Sequence, residues 1–290
     1  MTWLLLLLPL LLLTLIGACW WGSGRVFHPP AMTPLYVFPE QFGLAHEKVS
    51  FPTEDGLTLK GWLIPAREKT DRTIFFCHGW GDNKGDMLDR FHFLARDFNL
   101  FFYDSRAHGE SGGEFSTIGY LEAIDFTAAL RFLKEQRPAW MRRLGFYGLS
   151  MGAAVGIRGL AYAPEFRCAV LEAPFASFNE VVEQFCTINY PLPRFPFAYL
   201  TLAIIRHRLG ADSEPHSPRY HIRKLSGRPL FFISGAQDRL MPPAIVRSLY
   251  EEAGQPKELW EIPEAEHGRC QEAAGEEYNR RVREFFRANL

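Results

Sequence analysis

The 290-residue chain lacks a surplus of either charge: 32 Lys and Arg stand against 33 Asp and Glu, for a formal net charge of −1. With no basic field to hold a polyanion, a nucleic-acid partner is excluded. Metal-ligand spacing is missing as well. Cys19, Cys77, Cys168, Cys186 and Cys270 fit neither a zinc pattern nor a small disulfide scaffold. Cys77 and Cys168 fall in apolar strand-like runs, where a reduced buried thiol is expected. Cys186 and Cys270 are expected nearer the surface. No His-x-x-x-His pair or carboxylate cluster calls for a metal, and no glycine fingerprint for a dinucleotide follows the first strands. No cofactor is implied.

Charge is also missing from the N-terminus. Met1-Thr2 carries no Lys or Arg, and the 19 positions 3–21 are uncharged and mostly Leu. As a helix this run spans about 28 Å at about 1.5 Å per residue, close to a bilayer core. Three readings compete: an uncleaved signal-anchor, a cleaved secretory signal, and a lipoprotein signal. The last arises because Ile16-Gly17-Ala18-Cys19 resembles a lipobox. The missing basic start speaks against both cleaved forms. Trp20-Trp21 followed by Arg25 suits an interfacial belt closing a span, so a membrane signal-anchor over residues 1–21 is the expectation. Arg25 favours a cytoplasmic catalytic domain, but one charge leaves the side of the membrane open.

What remains is rich in core-forming residues, 47% hydrophobic with 25 Phe, enough for one large domain. Residues 22–45 hold Pro29, Pro30, Pro34 and Pro39 without a period and read as an extended connector. From residue 46 to 290 the pattern is α/β. Two paired strands at 47–51 and 57–64 flank a Glu54-Asp55-Gly56 turn. Strands then follow at 73–77, 99–103, 143–147, 168–171, 229–234 and 258–262. They alternate with helices at 84–96, 119–136, 151–162, 243–253 and 271–287. This rhythm predicts a mostly parallel twisted sheet of about eight strands, covered by helices on both faces. At 175–227 an interval of 53 residues, dense in aromatics and proline, replaces a simple crossover. It is expected to form a helical cap over the active site.

Gly148-Leu149-Ser150-Met151-Gly152 reads G-x-S-x-G between a short strand and a small-residue helix. Alone, the pattern arises by chance in about one chain of this length in ten, so its surroundings decide. A serine nucleophile needs a base, and the base needs an orienting carboxylate, in the chain order Ser, acid, His. Asp238 follows the strand at 229–234, and His267 follows the strand at 258–262. Both lie on loops just before helices, at the sheet edge where open α/β folds bind ligands. An oxyanion hole needs two convergent N–H groups. Met151 is expected to supply one, and Trp80, in His78-Gly79-Trp80-Gly81, the other. His78 comes too early in the chain for the base and is read as a structural hydrogen-bonding residue.

These pieces together resemble the α/β-hydrolase superfamily. The similarity is greatest to its membrane-associated serine hydrolases: esterases, thioesterases and serine aminopeptidase-like enzymes. The motifs that carry it are His78-Gly79-Trp80-Gly81, the run Tyr103-Asp104-Ser105-Arg106-Ala107-His108-Gly109-Glu110-Ser111-Gly112-Gly113, the elbow, Glu172-Ala173-Pro174-Phe175, the Asp238 loop and His267-Gly268. The resemblance covers about residues 46–290. The resemblance implies a Ser150–His267–Asp238 triad and a cofactor-free acyl-enzyme mechanism. It also implies that Asp104, Arg106 and His108 brace the turn beneath the site, with an Asp–Arg pair buried there. Glu172 is a second position where some hydrolases carry the acid. Relatives more often have glycine at position 107, and Ala107 is expected to stiffen that turn. The aromatic cap points to a small-molecule ester or thioester with an apolar acyl or alcohol portion, lipid-derived if the anchor holds. A serine peptidase or an acyltransferase would use the same triad.

Overall fold

Apolar residues in the strands alternate between two destinations, and this alternation builds the molecule. The computed structural model describes residues 2–28, 34–190 and 193–290. Eight strands are present: β1 (Glu47–Pro52), β2 (Thr58–Ile64), β3 (Arg72–Cys77), β4 (Asn99–Tyr103), β5 (Arg143–Leu149), β6 (Phe166–Glu172), β7 (Leu230–Gly235) and β8 (Lys257–Ile262). They form one sheet in the order β1-β2-β4-β3-β5-β6-β7-β8. β2 runs antiparallel to both of its neighbours, and the other pairings are parallel.

Phe75, Phe101, Phe146 and Phe232 point to one face, where α3 (Glu122–Gln136), α4 (Met151–Leu160) and α7 (Pro243–Glu252) cover them. Phe76, Phe102, Tyr147 and Phe231 point to the other, under α2 (Lys84–Phe91) and α9 (Glu276–Asn289). With both faces covered, the strands read as continuous apolar runs, as a buried parallel sheet requires. The short helix α8 (Cys270–Ala274) precedes α9.

Several boundaries differ from expectation for local reasons. The helix expected at 119–136 starts at Glu122, because Ile118 and Gly119 adopt φ of 53° and 108°. The helix expected at 84–96 ends at Phe91 and continues as a 3-10 turn to Arg96. The last helix is two, broken at Gly275 with φ of 54°. Cys270 is fully buried, not near the surface.

The interval at 175–227 contains α5 (Phe178–Asn189), α6 (Arg194–Leu209) and three 3-10 turns. α1 (Thr2–Phe27) is longer than the span expected, so the first residues of the connector at 22–45 are helical. Gly22 and Gly24 are poor helix formers, but Ser23, Val26 and Phe27 are buried at this end of α1, and packing overrides propensity. Proline residues 29 and 30 of that connector lie outside the described residues. Farther from the fold, Leu10–Leu13 are more than half exposed. Among the described residues, α1 is the one helix long and apolar enough to cross a membrane.

Candidate active site

β5 ends in a turn that the chain makes only with glycine on either side. Ser150 has φ of 52° and ψ of −113°, a strained geometry for a residue with a side chain. A Cβ on Gly152 would lie 2.2 Å from the Cys77 carbonyl oxygen, and one on Gly148 would lie 2.7 Å from the Ala153 backbone. Both contacts are with backbone, so neither position tolerates a side chain. The Ser150 N–H donates to the Glu172 carbonyl at 2.8 Å, tying the turn to the end of β6.

The registers of β5, β6, β7 and β8 bring their C-terminal ends to one edge. There the three candidate catalytic residues, 29 and 117 positions apart in sequence, form one hydrogen-bonded chain. Ser150 Oγ lies 2.9 Å from His267 Nε2, and His267 Nδ1 lies 2.7 Å from Asp238 Oδ2. The Met241 N–H donates to Asp238 Oδ1 at 2.7 Å, so both carboxylate oxygens are engaged. Asp238 is buried, while His267 is partly exposed. With Nδ1–H given to Asp238, Nε2 is left as the acceptor facing the serine hydroxyl.

Glu172, the alternative acid, does not reach His267. Its Oε2 accepts from Tyr147 Oη at 2.5 Å and from Tyr278 Oη. Burial next to this carboxylate pushes both phenols well above their usual range. Glu172 therefore anchors a buried cluster under the elbow.

The loop after β3 is held by two imidazoles. His78 donates Nδ1–H to the Gly79 carbonyl at 2.7 Å and accepts from the Ser105 N–H at Nε2 at 2.9 Å. His108 donates Nδ1–H to the Arg106 carbonyl at 2.7 Å and accepts from the Gly81 N–H at 3.1 Å. Each ring uses one nitrogen as donor and the other as acceptor, so both are neutral. Burial lowers the pKa of both, that of His108 to about 4. This frame positions Trp80 beside the elbow. Met151 opens α4, where N–H groups have no partner within the helix.

The bracing turn differs from expectation. Asp104 and Arg106 do not pair with each other. Asp104 takes the ammonium and the N–H of Lys84, a residue that no motif singled out. Arg106 binds Asp125 at 2.7 Å and Asp55 at 2.8 Å. Helical spacing from the 84–96 pattern puts Lys84 at a helix start, where a cation is unfavourable, and nothing in sequence signalled a buried partner 20 positions away.

A cleft of about 230 Å³ opens on Ser150 and His267. Its walls are mostly polar, with Asp82, Arg90, Arg269 and Glu272 alongside Gly79 and Trp80. The cap aromatics contribute little to it. Phe185 sits edge-on to Trp80 at 6.1 Å, Phe178 is buried near Val26 and Phe27, and Phe195 and Tyr199 face outward.

Comparison with known proteins agrees with this architecture. Residues 68–208 match the family model described as serine aminopeptidase S33. YqkD of Bacillus subtilis is 30% identical over 249 residues, covering 83% of this chain and 79% of that protein. A membrane protein of Saccharomyces cerevisiae is 27% identical, covering 79% of this chain and 76% of its own. The Pyrococcus furiosus esterase Pf2001 superposes with a TM-score of 0.75 at 29% identity, over 91% of this chain and 98% of the esterase. The sheet order, the serine elbow and these relatives lead to one conclusion: the chain is a member of the α/β-hydrolase superfamily.

Proposed function

We propose that the protein is a serine hydrolase that cleaves carboxylic esters or thioesters through Ser150, His267 and Asp238. The observation that carries this reading is the Ser150–His267–Asp238 hydrogen-bond chain, at 2.9 and 2.7 Å. Ser150 Oγ attacks the acyl carbon as its proton passes to His267 Nε2. Asp238 holds the tautomer and balances the imidazolium. The Met151 and Trp80 N–H groups receive the developing oxyanion, worth roughly 3 kcal/mol per donor. His267 then protonates the leaving alcohol or thiol, and water enters to release the acid by the reverse sequence.

Two features support a membrane setting: the apolar helix α1 and the likeness to a yeast membrane protein. α1 is read as a signal-anchor that holds the hydrolase at a bilayer and gives it lipid-derived esters.

A fluorophosphonate probe should label the wild-type protein and leave Ser150→Ala unlabelled. Equal labelling of both would overturn the hydrolase reading. A p-nitrophenyl ester series then sets acyl length. The match of residues 68–208 to the serine aminopeptidase S33 family model supports a second reading, a peptidase that uses the same three residues. Faster turnover of aminoacyl p-nitroanilides than of esters would favour it. An acyltransferase would transfer the acyl group to an added alcohol in preference to water.

A further inference from the structure

A second, strongly apolar cavity lies away from the candidate catalytic serine. It lies between α1 and the cap, with an empty volume of about 600 Å³ including its mouth. The enclosed part is about 120 Å³, so it takes a segment of an apolar chain and the rest lies in the open mouth. Ala18, Cys19 and Gly22 of α1 form one wall. Cys186 of α5 and Phe197 and Ala198 of α6 form the other. The Cys19 thiol donates to the Phe197 carbonyl at 3.8 Å, so the walls are joined at one point. Its exposed lining is almost wholly apolar, which favours apolar guests.

The surroundings identify the guest. The wall contributed by α1 continues, toward the N-terminus, into the exposed apolar surface of Leu10–Leu13. In the other direction it passes the exposed Trp20 and Trp21, then Arg25. The Arg25 guanidinium lies 5.4 Å from the Trp21 ring, and Arg208 lies 4.2 Å from the Trp20 ring. Arg208 also donates to the Trp20 carbonyl at 2.9 Å, and Arg25 forms no ion pair among the described residues. Phe195 and Tyr199 of α6 are exposed at 76% and 62%. Apolar helix, aromatic belt and the Arg25 cation thus follow one another along α1 in the order of acyl region, interface and headgroup phosphate, with Arg208 of α6 beside the belt.

We infer that this cavity is an acyl-chain site that seats a segment of one chain of a membrane phospholipid, the rest of the chain lying along the exposed apolar surface of α1. The chain lies along residues 18–22 and the phosphate faces Arg25. The inference rests on the membrane reading of α1 and is independent of the triad. A seated chain would join α1 to α5 and α6, and so fix the cap relative to the bilayer.

The test uses the full chain in phosphatidylcholine nanodiscs doped with a phospholipid carrying a diazirine near the end of one acyl chain. After irradiation, labelled peptides are mapped by mass spectrometry. Label is expected on the α5 and α6 residues that line the cavity as well as on residues 10–13. A Cβ at Gly22 meets nothing within 4 Å, so Gly22→Leu fills the cavity without a backbone clash. It should bring cap labelling to background, while residues 10–13 and the fluorophosphonate reaction keep their wild-type levels. Label on residues 10–13 with none on the cap, or cap label that survives Gly22→Leu, overturns the site and leaves the anchor standing. Label at neither place overturns both. If Gly22→Leu loses probe reactivity, Ala18→Leu, which acts from a different turn of α1, decides in its place by the same readout.

Discussion

Ala107 shows how a single residue departs from its surroundings. Its φ is 58°, in the left-handed region that favours glycine. A side chain there costs about 1–2 kcal/mol, while glycine would lose about 0.4–1 kcal/mol through a freer unfolded chain. Ala107→Gly should therefore raise stability by about 1 kcal/mol, read as a higher urea midpoint with an unchanged slope. A lower midpoint would mean that the Ala107 methyl contributes more by packing than it costs in strain. The two carboxylates near the elbow separate in the same way. Asp238→Asn turns the His267 acceptor into a donor and should cut kcat on the order of 10⁴-fold with little change in stability. Glu172→Gln keeps the triad. Its amide replaces a carboxylate that accepts from two buried tyrosine hydroxyls, so the loss should be about 1–3 kcal/mol of stability. If Glu172→Gln instead matches Asp238→Asn in kcat, Glu172 acts in the chemistry after all.

At the scale of elements, the loops that frame the site are held by neutral imidazoles, and this sets a pH dependence. His108 is pushed down to about 4 by burial, while in the unfolded chain it titrates near 6.5. Between these values the unfolded chain takes up the proton and the folded chain does not. Stability is full above about pH 6.5 and declines as the pH falls toward about 4, by roughly 3 kcal/mol for this residue. His78, lowered in the same direction, adds to the slope. Urea unfolding at pH 7, 5.5 and 4.5 should show the decline, and His108→Gln should flatten it. An equal slope in that variant would place the dependence elsewhere. Much of this frame was legible in the sequence. Strand and helix alternate in it with the two periods of the fold, and the triad residues each follow a separate strand in the expected order. The ion pairs were not legible, because Lys84–Asp104 and Arg106–Asp125 depend on how turns from different elements meet. Helix ends depart from the pattern where one residue adopts a positive φ, as at Ile118 and Gly275. The polar character of the cleft was also hidden. Aromatic content in 175–227 says that apolar surface is buried, but not against what.

At the scale of the whole molecule, what the aromatics bury is the end of α1. Val26 and Phe27 join Phe178, Val181, Val182, Leu202 and Ile205 in one apolar cluster. The Phe27 carbonyl accepts from the Ser116 N–H at 2.8 Å, and Ser116 Oγ donates to buried Glu122 at 2.7 Å. That link ends near the catalytic elbow, since Ser116 Oγ also lies 3.8 Å from the Met151 sulfur. α1 is thus part of the cap's packing as well as a candidate anchor. Burying Val26 and Phe27 stabilises the cap by about 1.5–3 kcal/mol each. Removing residues 1–28 should leave the sheet folded, because its two cores draw nothing from α1. The cap should open instead. With about 3 kcal/mol lost, amide exchange in α6 should speed up roughly hundredfold, while amides of β3, β5 and β6 keep their protection. Exchange by mass spectrometry on the full and truncated chains, both in the same detergent, measures this directly. Unchanged protection in α6 would show that the cap holds itself, and equal losses in the central strands would show that α1 stabilises the entire domain. The selective outcome makes cap order depend on α1, so that whatever α1 is embedded in has a physical route to the active site through residues 26–28 and the loop at 114–119.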